Sequence, residues 1–173
     1  MDRRFTVRKR IHDLLRREDG GALAELAILI PFLVVMLAGV CEFGRYFQHY
    51  NTVAKATRTA SRYLSNHPLT AEEIGKAQNL VVCGKLACAD SDKPLVAGLS
   101  AAKVCVETTG SPRVLTVTVR IPRDTTPCAP TPGAGGASQL TYSPIFNIGA
   151  LLGTGLSLNL PIAPSTTMYY QIN

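Results

Sequence analysis

Five cysteines are the residues whose type and spacing indicate covalent chemistry in this chain. Cys83, Cys88, Cys105 and Cys128 follow a long apolar segment that Cys41 ends. An even number of cysteines in an exported segment favours two disulfides, for which three connectivities are possible. Cys83 and Cys88 are close enough in sequence to close a short loop, which would leave Cys105 to pair with Cys128.

Zinc binding is the alternative use of these four cysteines. Structural zinc sites combine closely spaced cysteines, often with histidines, around one ion. The chain has no C-x-x-C pair, and none of its histidines, His12, His49 and His67, is near a cysteine in sequence. The spacing therefore predicts disulfides and no metal site. Cys41 is expected to be a small, buried apolar side chain.

No other motif indicates catalysis. The chain lacks G-x-S-x-G and H-E-x-x-H, and its three histidines do not share a ligand or catalytic spacing. The glycine-rich stretch from Gly149 to Gly155 lacks the lysine of a phosphate-binding loop. The sequence thus predicts no catalytic residue, no cofactor and no enzymatic activity.

One apolar segment runs from Ala22 to Cys41 with a single charged residue, Glu25. As a helix it would be about 30 Å long, which matches the hydrocarbon core of a bilayer. Seven of the 18 basic residues precede it, within residues 1–20. The positive-inside rule then places the N-terminus in the cytoplasm and the C-terminal part outside it. This basic cluster is better explained as a topology signal with lipid contact than as a nucleic-acid site.

Two residues of the apolar segment are unusual for a membrane helix. Glu25 is costly in lipid unless it is solvated at the interface or has a positive partner. Both interpretations are open: solvation near the start of the helix, or pairing with a positive group after processing or assembly. Pro31 removes a helical hydrogen bond and predicts a kink near residues 27–31.

The helix is expected to continue past the membrane to about Ser65, since apolar side chains recur at spacings of three and four. Asn66, His67 and Pro68 then end it. Thr70 and Glu73 form a capping box that predicts a second helix. Strands, turns and one loop rich in proline and glycine follow: strands at 103–109 and 113–121, the loop at 127–138, and further strand-like alternation at 140–146, 156–162 and 166–170.

The predicted fold class is therefore α+β, with a long N-terminal helix packed on a small antiparallel sheet. The first half of this helix would span the membrane. The predicted organisation is a basic cytoplasmic leader at 1–20, a transmembrane helix at 21–42 and an exported domain at 43–173, in which 127–138 is a flexible loop.

Three segments together resemble the TadE-like family of minor pilins and pseudopilins of the tight-adherence (Tad) pilus, a type IV-related system. The first is Gly20-Gly21-Ala22-Leu23-Ala24-Glu25 with the following apolar run. The second joins Glu42-Phe43-Gly44-Arg45 to Thr59-Ala60-Ser61-Arg62-Tyr63. The third joins Thr141-Tyr142-Ser143-Pro144-Ile145-Phe146 to Ser165-Thr166-Thr167-Met168. The resemblance implies a pilin-like fold in the bacterial inner membrane, with a periplasmic domain that can enter an extracellular pilus.

The resemblance also implies that a prepilin peptidase cleaves the leader. In such prepilins a glycine precedes the cut and a glutamate is fifth after it, which places the cut between Gly20 and Gly21. The new amine of Gly21 would pair with Glu25 of a neighbouring subunit. The implied partners are this peptidase, other Tad pilins and the inner-membrane assembly platform. Leu26 stands where the major pilin has tyrosine, which favours a minor component of the TadE or TadF type.

The alternative function is an uncleaved, single-pass scaffold or binding protein of a secretion system in the periplasm. It has the same topology and the same disulfides, but it retains the leader.

Overall fold

The computed structural model describes residues 19–111, 114–123, 128, 139–146 and 159–171. These ranges form helices α1 (Asp19–Ser65) and α2 (Ala71–Cys83), a short 3-10 helix (Ala101–Lys103), and strands β1 (Cys105–Ser111), β2 (Val114–Arg120) and β3 (Ser165–Tyr169). A long helix combined with a small antiparallel sheet confirms the α+β prediction. The chain divides into two compact units, Met1–Glu42 and Phe43–Asn173.

Within the first unit, α1 is helical from Asp19 onward and includes Pro31. Its large apolar side chains are exposed around the helix. This segment therefore contributes no core of its own, in contrast to the part of α1 in the second unit.

The core of the second unit begins on α1, where small and apolar side chains are buried at spacings of three and four residues. They pack in one cluster with side chains of α2 and the sheet. The spacing gives α1 one continuous apolar face, which explains why this half of the helix is buried on one side only. The principal members are Val53, Ala60 and Leu64 of α1, Ile74, Ala77 and Val81 of α2, and Val106, Val117 and Val119 of the sheet.

Both ends of α2 have well-defined caps. The Thr70 hydroxyl accepts a hydrogen bond from the backbone N–H of Glu73 at 3.3 Å, as the capping-box pattern indicated. Gly84 follows α2 with a φ of 76° and donates to the carbonyl of Leu80 at 3.1 Å. A positive φ at this position favours glycine, which has no Cβ.

The sheet has the order β1-β2-β3, and both pairs are antiparallel. Val117 and Val119 of β2 are buried, whereas Thr118 of β2 bonds to Thr167 of β3 through their hydroxyls at 2.8 Å. This alternation is that of a strand with one buried face. Helix α1 contacts β3 directly: the Ser61 hydroxyl donates to the carbonyl of Thr166 at 3.1 Å.

The prediction of strands at 140–146 and 156–162 is wrong where these segments are described. Residues 139–146 and 159–162 form a single bridge between Thr141 and Pro161. It is flanked by backbone hydrogen bonds from Tyr142 to Leu160 and from Ile162 to Leu140. Pro144 and Pro164 lie on the two sides of this bridge and have no N–H to donate, so the ladder cannot extend past them.

Smaller differences concern the ends of the first strand. Lys103 ends the 3-10 helix, and β1 begins at Cys105. Apart from Asp19, Gly20 and Cys128, the predicted leader at 1–20 and the predicted loop at 127–138 lie outside the described residues, as do residues 147–158.

Candidate functional site

Helix α1 is the one described helix that is long and apolar enough to cross a membrane. None of its most apolar window is buried within the protein, and Ile28 is 76% exposed. Soluble monomers rarely expose so large a continuous apolar surface, because hydrating it is unfavourable. The helix is therefore consistent with a single-pass membrane protein. Its large exposed side chains include Leu23, Leu26, Leu29, Phe32, Leu33, Val34, Met36, Leu37 and Val40.

The predicted cleavage residues Gly20 and Gly21 both lie near the N-terminal end of the described α1. A Cβ built on Gly21 would meet no atom within 4 Å. Packing among the described residues therefore does not explain the glycine at this position. Pro31 lies eleven residues from Gly20 within the same helix, and the kink expected there stays a prediction.

Glu25 lies on the exposed surface of α1. Among the described residues it has no hydrogen-bond or ion-pair partner. A carboxylate surrounded by apolar side chains such as Leu26 and Ile28 is expensive to place in lipid. A partner for Glu25 would therefore have to come from outside the described residues, for example from water at the interface, from a group that processing creates, or from another chain.

The structure joins Cys83 to Cys88 and Cys105 to Cys128. The first disulfide closes the loop that follows α2, and the second attaches the start of β1 to the chain beyond β2. Cys41 is a free thiol and is exposed. Its expected burial is wrong, because it lies on the apolar segment of α1, whose surface is open. The described residues contain no group of His, Cys, Asp and Glu that could hold a metal.

Titratable groups cluster where α1 turns into α2. The Tyr63 hydroxyl donates to Glu73, and the Lys76 ammonium lies 2.9 Å from the same carboxylate. These two hydrogen bonds lower the pKa of Glu73, the one from Tyr63 most strongly. Glu72 and Glu73 together raise the pKa of Lys76. The His67 ring stacks on the Tyr63 ring, with 3.9 Å between the ring centroids. The cluster satisfies its own charges and stabilises the corner between the helices.

Surface grooves in the described part of the second unit include two that are lined partly by α1 residues. One has a volume of about 340 Å³ and is lined by Tyr46, Tyr50, Arg123, Leu160, Pro161 and Ala163. The other has a volume of about 300 Å³ and is lined by Thr52, Lys55, Ala56, Thr59, Leu80, Gly84 and Leu95. Each lining combines apolar side chains with a few polar ones, as binding grooves commonly do.

Sequence reasoning did not find the second groove. The helical spacing of Thr52, Ala56 and Thr59 indicates that they share a face of α1. Leu95, by contrast, lies in an irregular segment with no periodic signal. Only the folded chain brings it to α1, through the turn at Gly84 and the backbone hydrogen bond from Leu95 to Val82 at 2.7 Å.

Comparison with known proteins gives one match. Residues 20–62 match the family model described as TadE-like protein. The chain has no significant match among curated proteins or among solved structures. The matched segment contains Gly20, Glu25 and the whole apolar run, together with most of the α1 residues that enter the core. Over residues 20–62 the chain is thus similar to the TadE-like family, which confirms the resemblance inferred from its sequence.

Proposed function

We propose that this protein is a minor pilin or pseudopilin that contributes to the assembly of a Tad pilus. The observation that carries the proposal is the TadE-like match at residues 20–62. It falls on a helix whose first part exposes apolar side chains around its surface and whose second part joins a folded domain. Such a helix can leave the bilayer for a helical fibre without exchanging its apolar surface for water.

In this proposal, a prepilin peptidase removes the basic leader between Gly20 and Gly21. The basic residues of the leader keep it in the cytoplasm, and the domain from Phe43 onward is periplasmic in a bacterial inner membrane. A glycine at position 21 is consistent with a sequence requirement of processing, because no neighbouring atom limits the side chain there.

Cleavage would create an ammonium group on Gly21, one helical turn before Glu25. In the assembled pilus this amine of one subunit pairs with Glu25 of its neighbour. The pair replaces two uncompensated charges in a low-dielectric environment, and so favours one axial stagger of the subunits. Glu25 suits this role because it has no partner among the described residues of its own chain. The other partners in this proposal are Tad pilins and the inner-membrane assembly platform.

The mass of the mature N-terminus tests the processing step. In cells that contain the peptidase we expect the chain to begin at Gly21, and an intact Met1 would contradict the proposal and favour the uncleaved scaffold. Gly20→Leu should block cleavage. Gly44→Leu is its control, because it is the same substitution at a glycine of the same helix where a Cβ meets no atom within 4 Å.

Replacement of Glu25 tests the assembly step. Glu25→Ala and Glu25→Gln should both be cleaved yet impair piliation, because neither can pair with the amine. Glu72→Gln removes an exposed carboxylate of the second unit and is the control. Normal piliation with Glu25→Ala would remove the proposed role of this residue. The proposal assigns no enzymatic activity to the chain.

A further inference from the structure

Three basic side chains, Lys55, Arg58 and Arg62, form an exposed stripe on α1. Their spacings of three and four residues place them on one face of the helix. None of the three side chains has a hydrogen-bond or ion-pair partner among the described residues. The helix has no acidic residue between positions 43 and 65. We name these three residues the basic stripe.

The basic stripe borders the 300 Å³ groove defined above, and Lys55 belongs to both. The hydroxyl protons of Thr52 and Thr59 are already donated to the carbonyls of Gln48 and Lys55, at 2.9 and 3.1 Å. The lining is otherwise mostly apolar, from Ala56, Leu80 and Leu95. The surface thus combines an apolar groove with an uncompensated positive charge along one side.

The wall of the groove opposite α1 is held in place before any partner binds. The disulfide from Cys83 to Cys88 closes the loop behind Gly84. Lys85 pairs with Asp92 at 2.6 Å, and Asp92 accepts the backbone N–H of Ala89 at 3.0 Å. These hydrogen bonds lower the pKa of Asp92. A preorganised wall reduces the entropy lost on binding.

Two occupants, a lipid headgroup and a second copy of this chain, fit this surface poorly. Lys55 is twelve residues beyond Phe43, so the rise of the helix places it about 18 Å farther along the axis, beyond the reach of a headgroup layer. A second copy is also disfavoured, because residues 43–173 contain eleven basic and six acidic residues, a net charge of +5. Like charges of this size oppose association through a basic face.

We propose that the basic stripe and its groove dock an acidic segment of a different protein. The segment places carboxylates against Lys55, Arg58 and Arg62 and inserts one apolar side chain between α1 and Leu95. This inference deepens the proposed function, since it states the chemistry of an assembly partner. It nevertheless depends only on the second unit being exported, so its failure leaves the processing result untouched.

Binding of synthetic peptides to the full chain in zwitterionic nanodiscs tests the inference by fluorescence anisotropy. The probes are a panel of labelled amphipathic peptides that carry glutamates at spacings of three and four and one leucine. Matched peptides carry glutamine for glutamate, or serine for leucine. The acidic peptides should bind at least tenfold more tightly than their glutamine counterparts at low salt, and the difference should shrink as salt screens it.

Lys55→Glu with Arg58→Glu should weaken binding of the acidic peptides at least tenfold. Lys93→Glu with Arg123→Glu is the matched control, because both residues are exposed and the change in net charge is equal. Its affinity for the acidic peptides should stay within twofold of that of the unchanged chain. Leu95→Ala should weaken binding of the leucine peptide severalfold and leave binding of the serine peptide unchanged. Intact disulfides and unchanged tyrosine fluorescence establish that each variant is folded.

Three outcomes would overturn the inference. One is that no acidic peptide binds more tightly than its glutamine counterpart. Another is an equal loss in both double variants, which would show that net charge alone matters. The third is binding of phosphatidylglycerol vesicles that depends on Lys55 and Arg58, which would assign this face to lipid. The mass of the mature N-terminus stays an independent test of the proposed function.

Discussion

Removal of each disulfide in turn gives a quantitative test of how the second unit is stabilised. The variants are Cys83→Ala with Cys88→Ala, and Cys105→Ala with Cys128→Ala, both in a Cys41→Ala background that excludes thiol exchange. The cysteines are 5 residues apart in the first pair and 23 apart in the second. A longer closed loop restricts the unfolded chain more strongly.

The loop-entropy relation converts these separations into free energies of unfolding. Loss of the Cys83–Cys88 link should lower the unfolding free energy by about 2 kcal/mol, and loss of the Cys105–Cys128 link by about 3.4 kcal/mol. Alanine is an apolar replacement for Cys105, which is fully buried. The second variant should therefore unfold at a lower urea concentration than the first.

Intrinsic tyrosine fluorescence is the appropriate measurement. The chain has no tryptophan, and its six tyrosines all follow position 42. The signal therefore reports unfolding of the second unit and not of the apolar part of α1. The full chain would be unfolded with urea in detergent micelles. An equal or larger loss of stability in the Cys83–Cys88 variant would refute the loop-entropy reasoning.

Three further perturbations test the core, the contact between helix and strand, and the charges at the helix corner. Leu64→Ala removes a side chain that is 0% exposed and should cost about 2–5 kcal/mol of unfolding free energy, whereas Leu37→Ala, at a position 65% exposed, should leave the urea midpoint unchanged. Equal effects would contradict the assigned core. Ser61→Ala deletes the hydroxyl that donates to the carbonyls of Thr57, at 2.9 Å, and Thr166, at 3.1 Å, and should cost about 0.5–1.5 kcal/mol by the same assay. A neutral result would show that the bond to Thr166 does not hold α1 on β3. The lowered pKa of Glu73 and of Asp92 means that the folded state binds fewer protons than the unfolded state. The urea midpoint should therefore hold at neutral pH and fall as the pH drops below about 4.3. Glu73→Gln should reduce this dependence, and an unchanged pH profile would contradict the assignment.

Local patterns in the sequence were sufficient for the elements that depend on nearby residues. The apolar run around Glu25 and the periodic stripe that ends near Ser65 predicted α1. Thr70 and Glu73 predicted the cap of α2, and alternation around Val117 and Val119 predicted β2. These signals are readable because a helix or a hairpin satisfies its backbone hydrogen bonds within a short segment of chain.

Tertiary structure alone decided the features that join distant segments. Alternation at 140–146 resembled a strand, but Pro144 and Pro164 lack the N–H groups that would extend the pairing on the two sides of the Thr141–Pro161 bridge, so only a bridge forms. The groove beside Lys55 likewise requires Leu95 to be brought to α1 by the loop after α2. The sequence by itself indicated a helix long and apolar enough to span a membrane, with Glu25 as the one charged residue between Ala22 and Cys41. The fold decided which basic and apolar side chains of the second unit lie together, because such contacts depend on packing between segments far apart in sequence.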